Sequence, residues 1–187
     1  MTKYEMKKKI FALIEELSPS NPYLTDDTDL QAKVDYSINQ VMFELARYKK
    51  IPKYVEIPVK KGDILTLEDI GNKVGYSIYQ IKKISEVAHD IKADGTVFKF
   101  KEDGVAEIEV YVYPERILES TKDKAYEFEL SDDVLEVMPY GVAADLLKSD
   151  ESVDNGKIYA DTYREKLQGL DLRYVTTSVT FEGGWDG

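Results

Sequence analysis

Met138-Pro139-Tyr140-Gly141-Val142-Ala143-Ala144-Asp145-Leu146-Leu147 is followed, across the acidic link Ser149-Asp150-Glu151-Ser152, by Tyr159-Ala160-Asp161-Thr162-Tyr163 and then Leu167 and Leu170. The two runs read as short antiparallel helices, the second over roughly residues 153–170. Pro139 fits the first position of its helix, where the N–H it lacks has no intrahelical partner to lose. Gly141, Ala143 and Ala144 give that helix a flat face against which a second backbone can lie close. Tyr159 and Tyr163, four residues apart, share one face of the second helix and are expected to cover the seam. Tyr140, Tyr159 and Tyr163 are therefore the candidate contact residues of this hairpin.

Upstream, the helical period recurs twice. Met6, Ile10, Leu13, Ile14 and Leu17 form one stripe of a helix expected over residues 3–17, with Lys7, Lys8, Glu15 and Glu16 outside it. Pro19-Ser20-Asn21-Pro22 ends it. A second helix is expected from Thr28, whose hydroxyl serves as cap with Gln31 as its capping-box partner. Its stripe is Leu30, Val34, Ile38, Val41 and Leu45, and it ends at Lys49-Lys50, before Pro52. Basic residues there suit the negative end of the helix dipole.

Between Lys53 and Ile117 the period drops to two. Val55, Ile57 and Val59 alternate with Tyr54, Glu56 and Pro58, the proline marking an edge strand. Tyr76, Ile78 and Gln80 alternate with Ser77, Tyr79 and Ile81. Ala106, Ile108, Val110 and Val112 face one way, and Glu107, Glu109, Tyr111 and Tyr113 the other. Asp103-Gly104, between the Phe98/Phe100 run and this strand, is the hairpin signal. Four to six antiparallel strands are expected. Tyr126, Phe128 and Leu130 add one more strand or an extended lead-in to the turn opened by Ser131-Asp132-Asp133. The fold class is thus α+β, a helical bundle built from N- and C-terminal helix pairs with an inserted antiparallel β subdomain. Its parts are residues 1–52, the β insertion 53–130, the C-terminal pair 131–173 packing on the first, and a tail, 174–187.

Composition narrows the function. The chain has 187 residues, 43% of them hydrophobic, which is enough for a packed core. No apolar run is long enough for a bilayer span or a signal peptide, so synthesis in the cytoplasm is expected. The absence of cysteine removes disulfides, thiolate metal sites and cysteine nucleophiles. Net charge is −11 and uneven: residues 1–61 hold 11 basic against 9 acidic residues, residues 119–154 only 3 against 11. Such an acidic region disfavours tight sequence-independent DNA binding, which needs clustered Lys and Arg.

The residues that carry chemistry elsewhere offer little here. His89 is the only histidine and has no evident nucleophile beside it. Asp26, Asp27 and Asp29 open the second helix, where carboxylates meet the positive dipole end. Asp150-x-Ser152-x-Asp154-Asn155-Gly156 is a poor calcium loop, with its glycine one position late and Asp161 where a glutamate belongs. Gly71-Asn72-Lys73-Val74-Gly75 lacks the Lys-Ser/Thr of a phosphate loop, and no Gly-x-Ser-x-Gly elbow occurs. Neither a catalytic nor a cofactor or metal site is expected.

The Pro139-Tyr140-x-Val142-Ala143-Ala144-x-Leu146-Leu147 helix, the acidic turn and the helix carrying Tyr163, Leu167 and Leu170 resemble the C-terminal hairpin of head–tail connector (adaptor) proteins of tailed bacteriophages. The order of helical pair, β insertion and helical pair resembles the larger members of that family. The resemblance implies a virion structural protein of the neck, not an enzyme, that forms a ring of about twelve copies by closed head-to-tail contacts. Its partners would be other copies of itself, the portal protein and the next neck or tail component. DNA would pass through without specific binding, and no membrane is involved. Head-closure and tail-completion proteins are the alternative within the neck, and a binding module or enzyme with an acidic site the alternative outside it. For the tail two readings stand: a frayed terminus, or a strand of Val175, Val179 and Phe181 added to a neighbour or to a portal subunit, with Trp185 as anchor.

Overall fold

A computed structural model describes residues 1–18, 20–21, 24–148 and 153–175, without the side chains of 153 and 171–175. Of the expected contact residues, Val175 has only its backbone described, helical rather than in the expected strand, and Val179, Phe181 and Trp185 lie outside the described residues, as do Pro19, Pro22 and the acidic link 149–152. The chain is α+β. It divides into two compact units, one of residues 1–41, 122–127 and 131 onward, the other of residues 42–121 and 128–130. The division runs inside a helix, between Val41 and Met42, rather than at residue 52.

The first unit is helical. α1 (Lys3–Leu13) opens with a capping box: Glu5 N–H donates to the Thr2 hydroxyl, and Thr2 N–H donates to the Glu5 carboxylate at 2.8 Å. It stops four residues before the expected end because Glu15 takes φ 64° and Glu16 N–H turns back to the Phe11 carbonyl at 2.9 Å. Its buried face is Lys3, Met6, Lys7, Ile10 and Phe11. That stripe has the i, i+3, i+4, i+7, i+8 spacing of a core-facing helix, with lysines in two of its five places. Lys7, expected in solvent, is therefore inside, and so is Phe11, which the expected stripe omitted. α2 (Thr28–Tyr48) is capped by Asp27, not Thr28: Leu30 N–H donates to Asp27 Oδ1 at 2.9 Å. Gln31 turns its amide to the Thr25 carbonyl instead of closing a capping box. α4 (Asp132–Leu135), α5 (Met138–Leu147) and α6 (Val153–Val175) complete the set. The segment leading into α4 contributes an isolated bridge, Glu127 to Thr2, and no strand, so Tyr126 to Leu130 is an extended lead-in.

The second unit holds the strands β1 (Ile51–Val59), β2 (Ile64–Thr66), β3 (Ile78–Ser85), β4 (His89–Lys92), β5 (Val97–Phe100) and β6 (Gly104–Val112). They form two three-stranded antiparallel sheets, ordered β1-β6-β3 and β2-β5-β4. Asp103-Gly104 therefore does not make the expected hairpin. β5 and β6 do not pair; they follow one another along the middle of a ribbon that turns a corner. Moving five residues on from Val59 to Ile64 moves the partner five back, from Gly104 to Lys99, so one register runs through the bend. Backbone bonds between Gly62, Asp63 and Phe100 bridge it. On the other flank, the four steps from Ser85 to His89 match seven from Glu107 to Phe100, so β3–β4 cuts the corner. The hairpin lies at another Asp-Gly pair: Ala93, Asp94 and Gly95, at φ 49°, 53° and 86°, join β4 to β5.

The concave side of this ribbon is the core of the unit. Ala106, Ile108, Val110 and Val112 are fully buried as expected, with Ile57, Val59, Phe98, Phe100 and Val87 around them. β3 departs from simple alternation. Irregularities between Ile78 and Gln80 and between Ile81 and Lys83 let Ile78, Ile81 and Ile84, three apart, all pack on the core. A helix absent from the expectation, α3 (Leu67–Val74), adds the buried Ile70. Its capping box joins Thr66 and Asp69, and Gly75 at φ 80° closes it. β1 is an edge, as Pro58 requires.

Candidate functional site

In the first unit α5 and α6 form a close antiparallel pair. A Cβ placed on Gly141 would meet Tyr163 Cε2 at 2.8 Å and Val41 Cγ1 at 3.0 Å, so only glycine lets the ring lie on the backbone here. At the other end of the seam, a Cβ on Gly156 would touch Leu147 at 3.3 Å. Tyr163 thus covers the seam as the sequence suggests. Tyr159 does something else: its hydroxyl donates to the Leu13 carbonyl at 2.6 Å, satisfying the exposed end of α1. Tyr140 lies under Lys166, whose Nζ is 4.9 Å from the ring centroid. All three tyrosines are half-buried and engaged inside this unit. Among its described residues, the large apolar side chains left exposed are Tyr36 and Ile158, 59% and 61% accessible.

The same unit contains a ring of four charges. Lys3 Nζ lies 3.0 Å from Asp35 and 2.8 Å from Asp123, and Lys7 Nζ lies 2.9 and 3.3 Å from the same two carboxylates. Both lysine side chains are buried, and each aspartate bridges both, so the group is neutral. It ties α1 to α2 and to the segment 122–127. Sequence reasoning missed it, although Lys3 and Lys7 sit one turn apart on the face that carries Met6, Ile10 and Phe11.

In the second unit, the convex sheet face gathers aromatic rings and cations. Tyr79 and Phe43 lie 4.8 and 5.2 Å from Tyr113, centroid to centroid. Arg47 donates to the Tyr113 hydroxyl from Nε at 2.9 Å, a bond that raises the guanidinium pKa, and Lys50 Nζ stands 4.6 Å over Tyr111. Tyr79 donates to the Ala46 carbonyl at 2.8 Å, and desolvation pushes its phenol upward. Further along this face Tyr54 is 52% exposed, its phenol pushed up to about 12 by desolvation and then by Glu107 and Glu56. Open depressions border this unit, among them one of about 620 Å³ between α3 and the start of β3 and two more. One, about 880 Å³, is lined by Phe43, Arg47, Tyr76, Tyr113 and Arg116. Another, about 530 Å³, runs along β3.

The remaining candidates have local partners. His89 Nδ1 is 3.0 Å from the Val87 carbonyl, and its ring lies against Phe98 and Phe100. Asp27 caps α2, Asp26 accepts from Asn21 at 2.6 Å, and Asp154 pairs with Lys157 at 3.3 Å. Among the described residues, no three His, Asp or Glu side chains form a group able to hold a metal ion, and no helix is long and apolar enough to cross a membrane. These arrangements serve packing and capping. A scan against protein-family models finds no match, and no curated protein matches the chain.

Proposed function

We propose that this protein is a structural component of the neck of a tailed bacteriophage, a head–tail connector whose copies close into a ring below the portal and extend the DNA channel from capsid to tail. In this reading the helices of the first unit form one bundle, with the second unit as its β insertion. The observation that carries it is the α5–α6 seam, where Tyr163 rests on Gly141 in the residue pattern that resembles the connector hairpin. Charge supports it too. By sequence, the unit with the hairpin holds 12 basic against 21 acidic residues and the other unit 13 against 15. A channel lined by the acidic unit would repel phosphates and let DNA slide. The ring would assemble in the host cytoplasm and end in the virion, with the portal and the next neck component as partners and no cofactor or chemistry of its own. Electron micrographs of the purified protein, alone and mixed with its portal, test the reading. Rings of about twelve copies seated on the portal are expected. A solitary particle that ignores the portal overturns it.

A further inference from the structure

We propose that the trough beside β3 receives the C-terminal segment, residues 176–187, of a second copy of this chain, added as a strand along the β3 edge. The inference rests on the ring reading above and names one of its contacts. Six consecutive residues, Tyr79 to Ile84, line the trough. Ile81 and Ile84 face the core while Tyr79 packs with Tyr113 on the other face, so residues from both faces of β3 border the space, which therefore runs along the edge of the strand. β3 is the outermost strand of its sheet. The opposite edge, β1, carries Pro52 and Pro58 and offers fewer backbone donors, so β3 is the receptive side. The trough is apolar below, with Ile81, Ile84, Leu67 and Phe98, and Ile91 on its far wall is 61% exposed.

The occupant follows from the chain itself. Beyond α6, Thr177, Val179 and Phe181 alternate with Thr176, Ser178 and Thr180, a run of period two in which four of the six residues are β-branched. These six residues extend about 20 Å, within the length of β3. The bulges at Tyr79 and Lys82 interrupt the edge, so side chains seated in the trough, Val179 and Phe181, supply much of the contact. Charge does not oppose it: Lys83 lines the trough with Asp94, and Lys82, also in the lining, is paired with Glu109 at 2.6 Å, whereas residues 176–187 contain Glu182 and Asp186 and no basic residue. A tail on one copy and a trough on the next is also a head-to-tail contact by construction, the kind a closed ring needs.

The cysteine-free chain allows a direct test. Full-length Val179→Cys and Ile91→Cys variants are mixed, oxidised and separated without reductant. A disulfide-linked pair is expected in about tenfold excess over the pair of Val179→Cys with Tyr54→Cys, which sits on the other sheet face. Lys82→Glu with Lys83→Glu in the Ile91→Cys partner should cut the yield severalfold. Equal yields from both pairings overturn the proposal. So does a Val179→Cys/Ile91→Cys double variant that closes its disulfide within one monomer, since the trough would then hold its own tail. Micrographs of the same samples separate the two readings: rings without the cross-link refute only this contact, and the absence of both refutes the ring.

Discussion

The two units reach a packed interior by different routes. The second relies on apolar area alone: the even-numbered side chains of β5 and β6 line the inside of a bent ribbon, and Ile70 of α3 closes on them. The first places two lysines and two aspartates among its helices and closes its hairpin by bringing backbones together over Gly141 and Gly156. Apolar burial is non-directional and scales with area, so it tolerates exchange of similar side chains. A buried charge ring does not tolerate exchange of one member alone, and a ring-on-glycine contact does not tolerate enlargement. The first unit should therefore be the more specific in geometry and the more easily broken by one substitution.

The largest effect is expected from Asp35→Ala. It leaves two buried ammonium groups sharing one carboxylate and should cost about 3 kcal/mol in chemical denaturation. A quadruple replacement, K3M/K7M/D35L/D123L, sharpens the contrast: it should recover most of that loss, because removing every charge at once leaves none unpaired. Loss without recovery would mean that the four residues carry a packing role apolar side chains cannot fill. Ile108→Ala in the second unit should also cost about 3 kcal/mol, as transfer plus cavity. Native-state hydrogen exchange should place the lost protection in the strands, not in α5 and α6. Gly141→Ala should cost about 2 kcal/mol, since its methyl must displace Tyr163 or Val41; a neutral result would show the seam to be loose.

The smallest effect concerns pH. Hydrogen bonds from the Thr66 backbone, and then its side chain, hold the Asp69 carboxyl below its ordinary 3.8. Its folded pKa is depressed, so its contribution is complete above the unfolded value and fades as pH falls through the folded one. NMR titration of Asp69 should give a midpoint under 3.8, and Thr66→Val should move it upward. An unmoved midpoint would deny the capping box its hydroxyl component.

Much of the architecture was legible in residue spacing, and the misses are instructive. β6 was readable because its two faces differ in every residue from Ala106 to Tyr113. The hairpin rule was sound but belonged to Asp94-Gly95 rather than Asp103-Gly104. An Asp-Gly pair announces a turn; whether the flanking strands pair or pass a corner depends on which strands lie beside them. α3 went unseen although Thr66-x-x-Asp69 is a capping pattern, because eight residues between strands give too few turns for periodicity to register. The bulges of β3 disguised Ile78, Ile81 and Ile84 by breaking the period of two. Lys7 was misplaced because a charge on an apolar stripe looks like solvent until its partners are known. Of the candidate contact residues, Tyr163 stands where the spacing puts it, whereas Tyr159 and Tyr140 found partners that spacing does not reveal.

By itself the sequence determined the periods, the breaks and the small residues: which stretches are helix or strand, where a backbone can approach, and which faces are apolar. Those follow from local sterics and from side-chain direction along each element. Only the tertiary structure decided what each element meets. The charge ring joins positions 3, 7, 35 and 123, and the ribbon pairs β1 with a strand about fifty residues away. Such pairings depend on the whole chain closing on itself, and no local spacing encodes them.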